Sequence, residues 1–281
     1  MHPINFVFDI DDTLAVHFDN KERLKLLTEQ IAEAYGNDFL EKNIITALGY
    51  PHFIFPGIPA LLKYVHNLGH NIFIFSSAVK ERNEELVDKL ISLVWGNGTT
   101  AVRPKIKVFS RNDCLDTYYL EKQDDYQPIF FGNLKKVLTD VVVPKEEMPW
   151  TLLIDDDASY MAKNEEYNFV KVECSSFFDI LEYDRFYKYA AFFKAFYLAG
   201  LFEAIFKRIE QKNCTAVNAA KYLQIDSSKI DFNSKFYYLF TLRNMEYYKA
   251  GIKILSAIDP KATIFDSILD RMIMLNQKEK R

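Results

Sequence analysis

A chain of 281 residues is long enough for one large domain or two, and its 49% hydrophobic and 26% charged residues describe an ordinary soluble globular protein for which no nucleic-acid partner is expected. Cys114, Cys174 and Cys214 stand far apart with no Cys-x-x-Cys pair, which argues against a disulfide framework and a zinc site and for a reducing, cytoplasmic compartment. No apolar run reaches the roughly 18 residues of a membrane span, and no secretory signal is visible at the N-terminus.

The net charge of −4 conceals an asymmetry: residues 184–281 carry +7 and residues 1–183 carry −11. The 24 Phe and 17 Tyr against 9 Gly are also unusual, although core packing explains most aromatics in most proteins.

The chain opens with Phe6-Val7-Phe8-Asp9-Ile10-Asp11-Asp12-Thr13-Leu14. An apolar run with the length and residue types of a buried parallel strand stops at three carboxylates. Like charges crowded at a strand end need solvent, a cation or a shifted pKa to relieve them. Strand alternation puts Asp9 and Asp11 on one side, facing the same ligand, and a metal beside an electrophile fits that. The alternative is a strand ending in an acidic turn, with Asp12 or Thr13 capping a helix.

Residues 20–48 read as one or two amphipathic helices, with Leu24, Leu27, Ile31 and Tyr35 at helical spacing and Gly36-Asn37 as a stop. Pro56-Gly57 opens a helix over 58–68, Gly69 ends it, and Asn71-Ile72-Phe73-Ile74-Phe75 forms a strand leading to Ser76-Ser77. Helix, glycine and apolar strand make half of a right-handed crossover, the building block of parallel sheets. A hydroxyl at the carboxyl end of such a strand lies where open α/β sheets bind ligands, although Ser77 also suits the cap of a helix over 81–95. Residues 106–110 form a short strand. Trp150-Thr151-Leu152-Leu153-Ile154 then runs into Asp155-Asp156-Asp157, a second apolar strand tipped with carboxylates, and residues 169–172 supply the last core strand. Beyond about residue 182 the pattern turns helical, over 187–209, 217–223, 234–258 and 263–275, with Pro260 as a break.

Apolar strand followed by Asp-x-Asp-x-Thr-Leu, apolar strand followed by Ser, a lysine, and apolar strand followed by Asp-Asp resemble, in that order, the motifs of the haloacid-dehalogenase (HAD) superfamily. That resemblance implies an α/β fold with a doubly wound, Rossmann-like parallel sheet over residues 1–182, a small helical cap-like insert at 15–55 that is otherwise a plain connecting helix pair, and a helical region over 183–281. It implies a Mg²⁺-dependent phosphatase with an aspartyl-phosphate intermediate. Asp9 is then the nucleophile and Asp11 the general acid/base. Ser76, Lys136 and Thr13 hold the phosphate or brace its loop. Asp9, Asp11, Asp155 and Asp156 surround the metal, Asp156 as direct ligand and Asp155 in support. For this chemistry Asp11 must carry a proton, raised by burial and its neighbours, while Asp9 stays ionised beside Mg²⁺ and Lys136.

Arg111-Asn112-Asp113-Cys114 and Gly132-Asn133-Leu134-Lys135-Lys136-Val137-Leu138 resemble blocks of the small carboxy-terminal-domain phosphatases, the branch acting on phosphoproteins, with Val137 where that branch has Asp and about twenty intervening residues. The match makes Lys136 the motif lysine, with Lys135 the alternative.

A small insert implies an open site, which suits a phosphorylated protein side chain, phosphotyrosine over phosphoserine. The alternatives are a small-metabolite or nucleotide phosphatase, or a catalytically inactive binding module. The basic helical region suits either contact with an anionic membrane or phosphoinositide, or a buttress packed on the sheet. Layout and composition also resemble the aspartate-based tyrosine phosphatases that intracellular bacteria secrete as effectors.

Overall fold

Phe6, Val7 and Phe8 are fully buried, so the strand Asn5–Phe8 (β1) is covered on both faces, the reason its sequence shows no alternation. The computed structural model describes residues 2–17, 37–117, 134–172, 193–224 and 242–263. After β1 come Ala15–His17 (β2), Asn37–Asn43 (α1), Ile44–Ala47 (β3), Tyr50–Ile54 (β4), Ile58–Asn67 (α2), Asn71–Phe75 (β5) and Lys80–Trp95 (α3). Thr99–Val102 (α4), Lys107–Phe109 (β6), Leu115–Asp116 (β7), Leu134–Lys135 (β8), Thr151–Asp155 (β9) and Phe169–Lys171 (β10) follow. The helical region contributes Lys194–Lys212 (α5), Ala216–Leu223 (α6) and Leu242–Ser256 (α7).

The five-stranded sheet has the order β10-β9-β1-β5-β6 and is parallel throughout, the α/β architecture expected from the sequence. From β1 the chain moves outward through β5 to β6, then returns across β1 to β9 and moves outward the other way. Neighbouring β1 and β9 therefore flank the point where the winding reverses, which is where such sheets place their ligand crevice. Phe8 pairs with Ile154, and the amide of Asp9 donates to the Ile154 carbonyl at 2.9 Å. The in-register pairing carries Asp9 and Asp155 to the same height.

Phe6 and Phe8 face the helices, sharing one core with residues of α2, α3, α5 and α7. Val7, Phe75 and Leu153 face the other way, onto Leu138, Val142 and Val143.

The insert departs from expectation. Residues 20–36 lie outside the described residues, and 44–54 form a β-hairpin where the helical reading extended to residue 48. The strands β2-β4-β3 make a small antiparallel sheet. Ile44, Ile45 and Thr46 are β-branched and stiff in a helix. Leu48 and Gly49 both take positive φ, 49° and 80°, as a tight two-residue hairpin turn requires.

The helical region packs on the sheet, as foreseen for a buttress. Phe196, Leu198, Leu201, Phe202 and Ile205 of α5 are buried, with the Phe202 ring 4.4 Å from that of Phe6. No helix among the described residues is long and apolar enough to cross a membrane. The helix foreseen over 263–275 lies outside them, apart from Thr263.

Candidate active site

Three strand ends deliver the site. Asp9 follows β1, Ser76 follows β5 and Asp155 closes β9, so the motifs that the sequence separates by up to 146 residues meet at one edge of the sheet. Lys136 joins two of them. Its Nζ donates to Asp9 Oδ1 and to Asp155 Oδ2, each at 2.6 Å, and its side chain is only 1% exposed. The backbone explains the reach: the amide of Lys136 donates to the Tyr160 carbonyl at 2.8 Å, and residue 136 bridges Met161, just beyond β9.

Successive side chains on an extended segment point to opposite sides, so only one of the two lysines enters. Lys135 points outward and donates to the Ser159 carbonyl. Gly132 and Asn133 lie outside the described residues.

Carboxylate oxygens of Asp9, Asp155 and Asp156 lie within 4.8 Å of one another. Three hard oxygen donors beside one lysine suit a small divalent cation such as Mg²⁺. Asp155 already engages Oδ2 with Lys136 and accepts the Asp157 amide on Oδ1 at 2.9 Å, which are the contacts of a supporting residue.

Asp11 is not in that set, contrary to strand alternation. β1 ends at Phe8, and a tight turn follows in which Leu14 and Ala15 both donate to the Ile10 carbonyl while Asp12 takes a left-handed φ of 56°. Asp11 turns instead to Arg82, in the first turn of α3. Nη1 and Nη2 of Arg82 reach Asp11 Oδ1 and Oδ2, each at 2.5 Å, and the Ser76 hydroxyl donates to Oδ2 at 3.1 Å. Arg82, 8% exposed, was not singled out from the sequence.

Among the protein groups alone, the two pKa directions run opposite to those foreseen for Asp9 beside Mg²⁺ and for Asp11 at work. Burial, with Asp155 and Asp11 adding to it, pushes Asp9 well above the ordinary carboxylate range, and Lys136, which it shares with Asp155, offsets this only in part. Burial acts the same way on Asp11, but the Arg82 fork and the Ser76 hydroxyl outweigh it and hold that carboxyl below the usual range. Lys136 stays firmly charged despite burial because Asp9 and Asp155 both favour its ammonium.

Thr13 is fully buried, and among the described residues its hydroxyl makes no hydrogen bond to the other site residues. The loop brace is instead partly contributed by the helical region. Lys194, 1% exposed at the start of α5, donates to the Asp12 carbonyl and lies 4.5 Å from the centre of the Phe55 ring. Arg111 donates from Nε to the Ser77 carbonyl at 2.9 Å, and burial pushes the Cys114 thiol up to about 11. His52 of β4 is fully buried and donates Nδ1–H to the Tyr50 carbonyl.

No family model matches the chain, and no curated protein matches it. Among solved structures it is similar to fission yeast Fcp1, an RNA polymerase II CTD phosphatase crystallised as a variant with beryllium fluoride, at 16% identity and a TM-score of 0.41 over 63% of this chain and 43% of that one. A second structure of Fcp1, described as an essential RNA polymerase II CTD phosphatase, aligns over 96% of this chain and 66% of its own length at 16% identity and a TM-score of 0.39. The chain thus spans less than two thirds of each, and its chemistry has to be argued from the site itself.

Proposed function

We propose that the chain is a HAD-type, aspartate-based phosphatase that hydrolyses phosphomonoesters through an aspartyl-phosphate intermediate. The observation that carries this reading is the meeting of Asp9, Asp155 and Asp156 at adjacent parallel strand ends, with Lys136 within 2.6 Å of two of them. Asp9 and Asp156, with Asp155 in support, would hold Mg²⁺ in this reading. When bound, the cation neutralises the carboxylates and the phosphoryl oxygens, so that one anion can approach another.

With Asp9 kept ionised by Lys136 and Mg²⁺, its carboxylate oxygen attacks phosphorus, the bond from phosphorus to the ester oxygen breaks, and Asp11, having taken a proton from solvent in the substrate complex, gives it to the departing oxygen. In the second step Asp11, now ionised, takes a proton from water as that water attacks the phosphorus of the acyl phosphate. Inorganic phosphate leaves and the Asp9 carboxylate is restored. Lys136 lies on the nucleophile throughout, and the Ser76 hydroxyl borders the phosphoryl site.

The substrate in this reading is a phosphorylated protein side chain, phosphotyrosine foremost. Val79 and Leu115 are 45% and 46% exposed, and both lie on segments that follow the carboxyl ends of β5 and β6, at the rim of the site. Apolar rim side chains suit the residues that flank a phosphorylated position in a peptide. The decisive experiment is hydrolysis of an aryl phosphate with and without Mg²⁺, followed by a phosphopeptide panel. Mg²⁺-dependent turnover that disappears in Asp9→Asn supports the reading, and full activity in Asp9→Asn refutes it.

A further inference from the structure

The guanidinium of Arg82 is held on one side and engaged with a replaceable partner on the other. Nε and Nη2 donate to the Asn83 side-chain oxygen at 3.1 and 2.9 Å, and Nη2 donates to the Ser76 hydroxyl at 3.0 Å. Asn83, fully buried, is itself fixed by its amide donating to Ser110 Oγ at 3.0 Å. These contacts fix the plane of the fork. Its two prongs end on Asp11, whose side chain is 40% exposed against 10% for that of Arg82. The anion in the fork is therefore the more solvent-accessible member of the pair.

A phosphoryl group presents two oxygens to an arginine fork with nearly the geometry of a carboxylate and with greater charge. Ser76, which the phosphatase reading places beside the phosphoryl group, is one hydrogen bond from both Arg82 and Asp11. We propose that Asp11 occupies the seat of a phosphoryl oxygen pair while the site is empty of substrate, and that Arg82 transfers its two-pronged grip from Asp11 to the phosphoryl group when a phosphomonoester binds. This rests on the phosphatase reading and adds a second cation to its phosphate site beside Lys136's charge on Asp9. Substrate arrival then frees the Asp11 carboxylate from the guanidinium.

The test is a double-mutant cycle on the affinity of the full chain for inorganic phosphate, measured by calorimetry in the presence of Mg²⁺. Losing a charge-assisted fork weakens binding about ten- to a hundredfold in Arg82→Ala. Asp11→Asn removes the competing carboxylate and tightens binding. The tightening disappears when Arg82→Ala is also present, because there is no longer a fork to compete for. Arg82→Lys, which keeps the charge and loses the fork, falls between wild type and Arg82→Ala, and takes the place of the alanine variants if their melting curves show that they do not fold.

Phosphate affinity independent of Arg82, or an equal gain from Asp11→Asn with and without Arg82, overturns the proposal. A wild-type chain that hydrolyses aryl phosphate but gives either result loses only the Arg82 clamp. A wild-type chain that neither binds phosphate nor hydrolyses the ester loses the phosphatase reading as well.

Discussion

Replacing Lys136 by Met keeps the length of the side chain and removes the cation that, among the described residues, bridges Asp9 and Asp155. Removing one partner of a buried ion pair costs about 3–5 kcal/mol, because the other charge is left without compensation. Lys136 is 1% exposed and serves two carboxylates at 2.6 Å, so the upper end applies, about 5 kcal/mol. In a protein of this size each kcal/mol moves the melting midpoint by roughly 2–4 °C, giving a fall of about 10–20 °C. Two agents should reverse part of it. Divalent cation at a hundred times its dissociation constant adds about 2.7 kcal/mol. Acid acts through Asp9, whose folded pKa lies above its unfolded one, so stability is gained as pH falls through the folded value and is complete below the unfolded value. Without the opposing lysine that gain is larger in Lys136→Met than in the wild type. The assay is a set of thermal melts at about pH 7.5 and about pH 5.5, with chelator and with saturating MgCl₂. A variant melting within about 2 °C of the wild type in chelator, with no extra response to acid or Mg²⁺, refutes Lys136 as the buried counter-charge.

Asp9→Asn and Asp11→Asn should each abolish aryl phosphate turnover, but only Asp9→Asn should also abolish covalent trapping of phosphate on the chain; trapping that survives Asp9→Asn assigns the nucleophile elsewhere. His52 is lowered to about 4 by burial, with the charges of Arg82 and His17 adding. Against an ordinary value of ~6.5, its contribution to stability is complete above that pH and falls by roughly 3 kcal/mol as pH drops toward 4. Urea unfolding of His52→Gln across that window should show a shallower pH slope than the wild type, and an unchanged slope removes His52 as its source. At Gly200 an added Cβ would lie 1.9 Å from the Tyr247 carbonyl oxygen, so Gly200→Ala must force α5 and α7 apart. A loss of about 1–3 kcal/mol in denaturant titrations is expected, and an unchanged midpoint contradicts the close packing of these helices.

What the sequence made legible was the chemistry tied to strand ends. The runs at 6–8, 72–75 and 152–154 are apolar because both faces of the sheet are covered, and each stops where solvent and ligand begin, so Asp9, Ser76 and Asp155 announce themselves by position. Lys136 was reached through its resemblance to a motif, and only the pairing of residue 136 with 160–161 shows why it enters while Lys135 does not. Arg82 left no comparable signal, since an arginine in the first turn of a helix reads as a solvated charge until Asp11 is placed opposite it. The direction of the Asp11 pKa was hidden for the same reason: a pKa follows the nearest fixed charge, and that charge lies 71 residues along the chain. The hairpin over 44–54 was hidden because a short β-branched run next to a helical pattern carries no decisive period.

The central claim is that the acidic tips of β1 and β9 hold one divalent ion at the nucleophile. Calorimetric titration of the full chain with Mn²⁺ as a probe tests it most directly. One ion per wild-type chain is expected, with affinity reduced at least about tenfold in Asp9→Asn and in Asp156→Asn. A chain that binds no ion there, or binds it equally well in both variants, contradicts the claim.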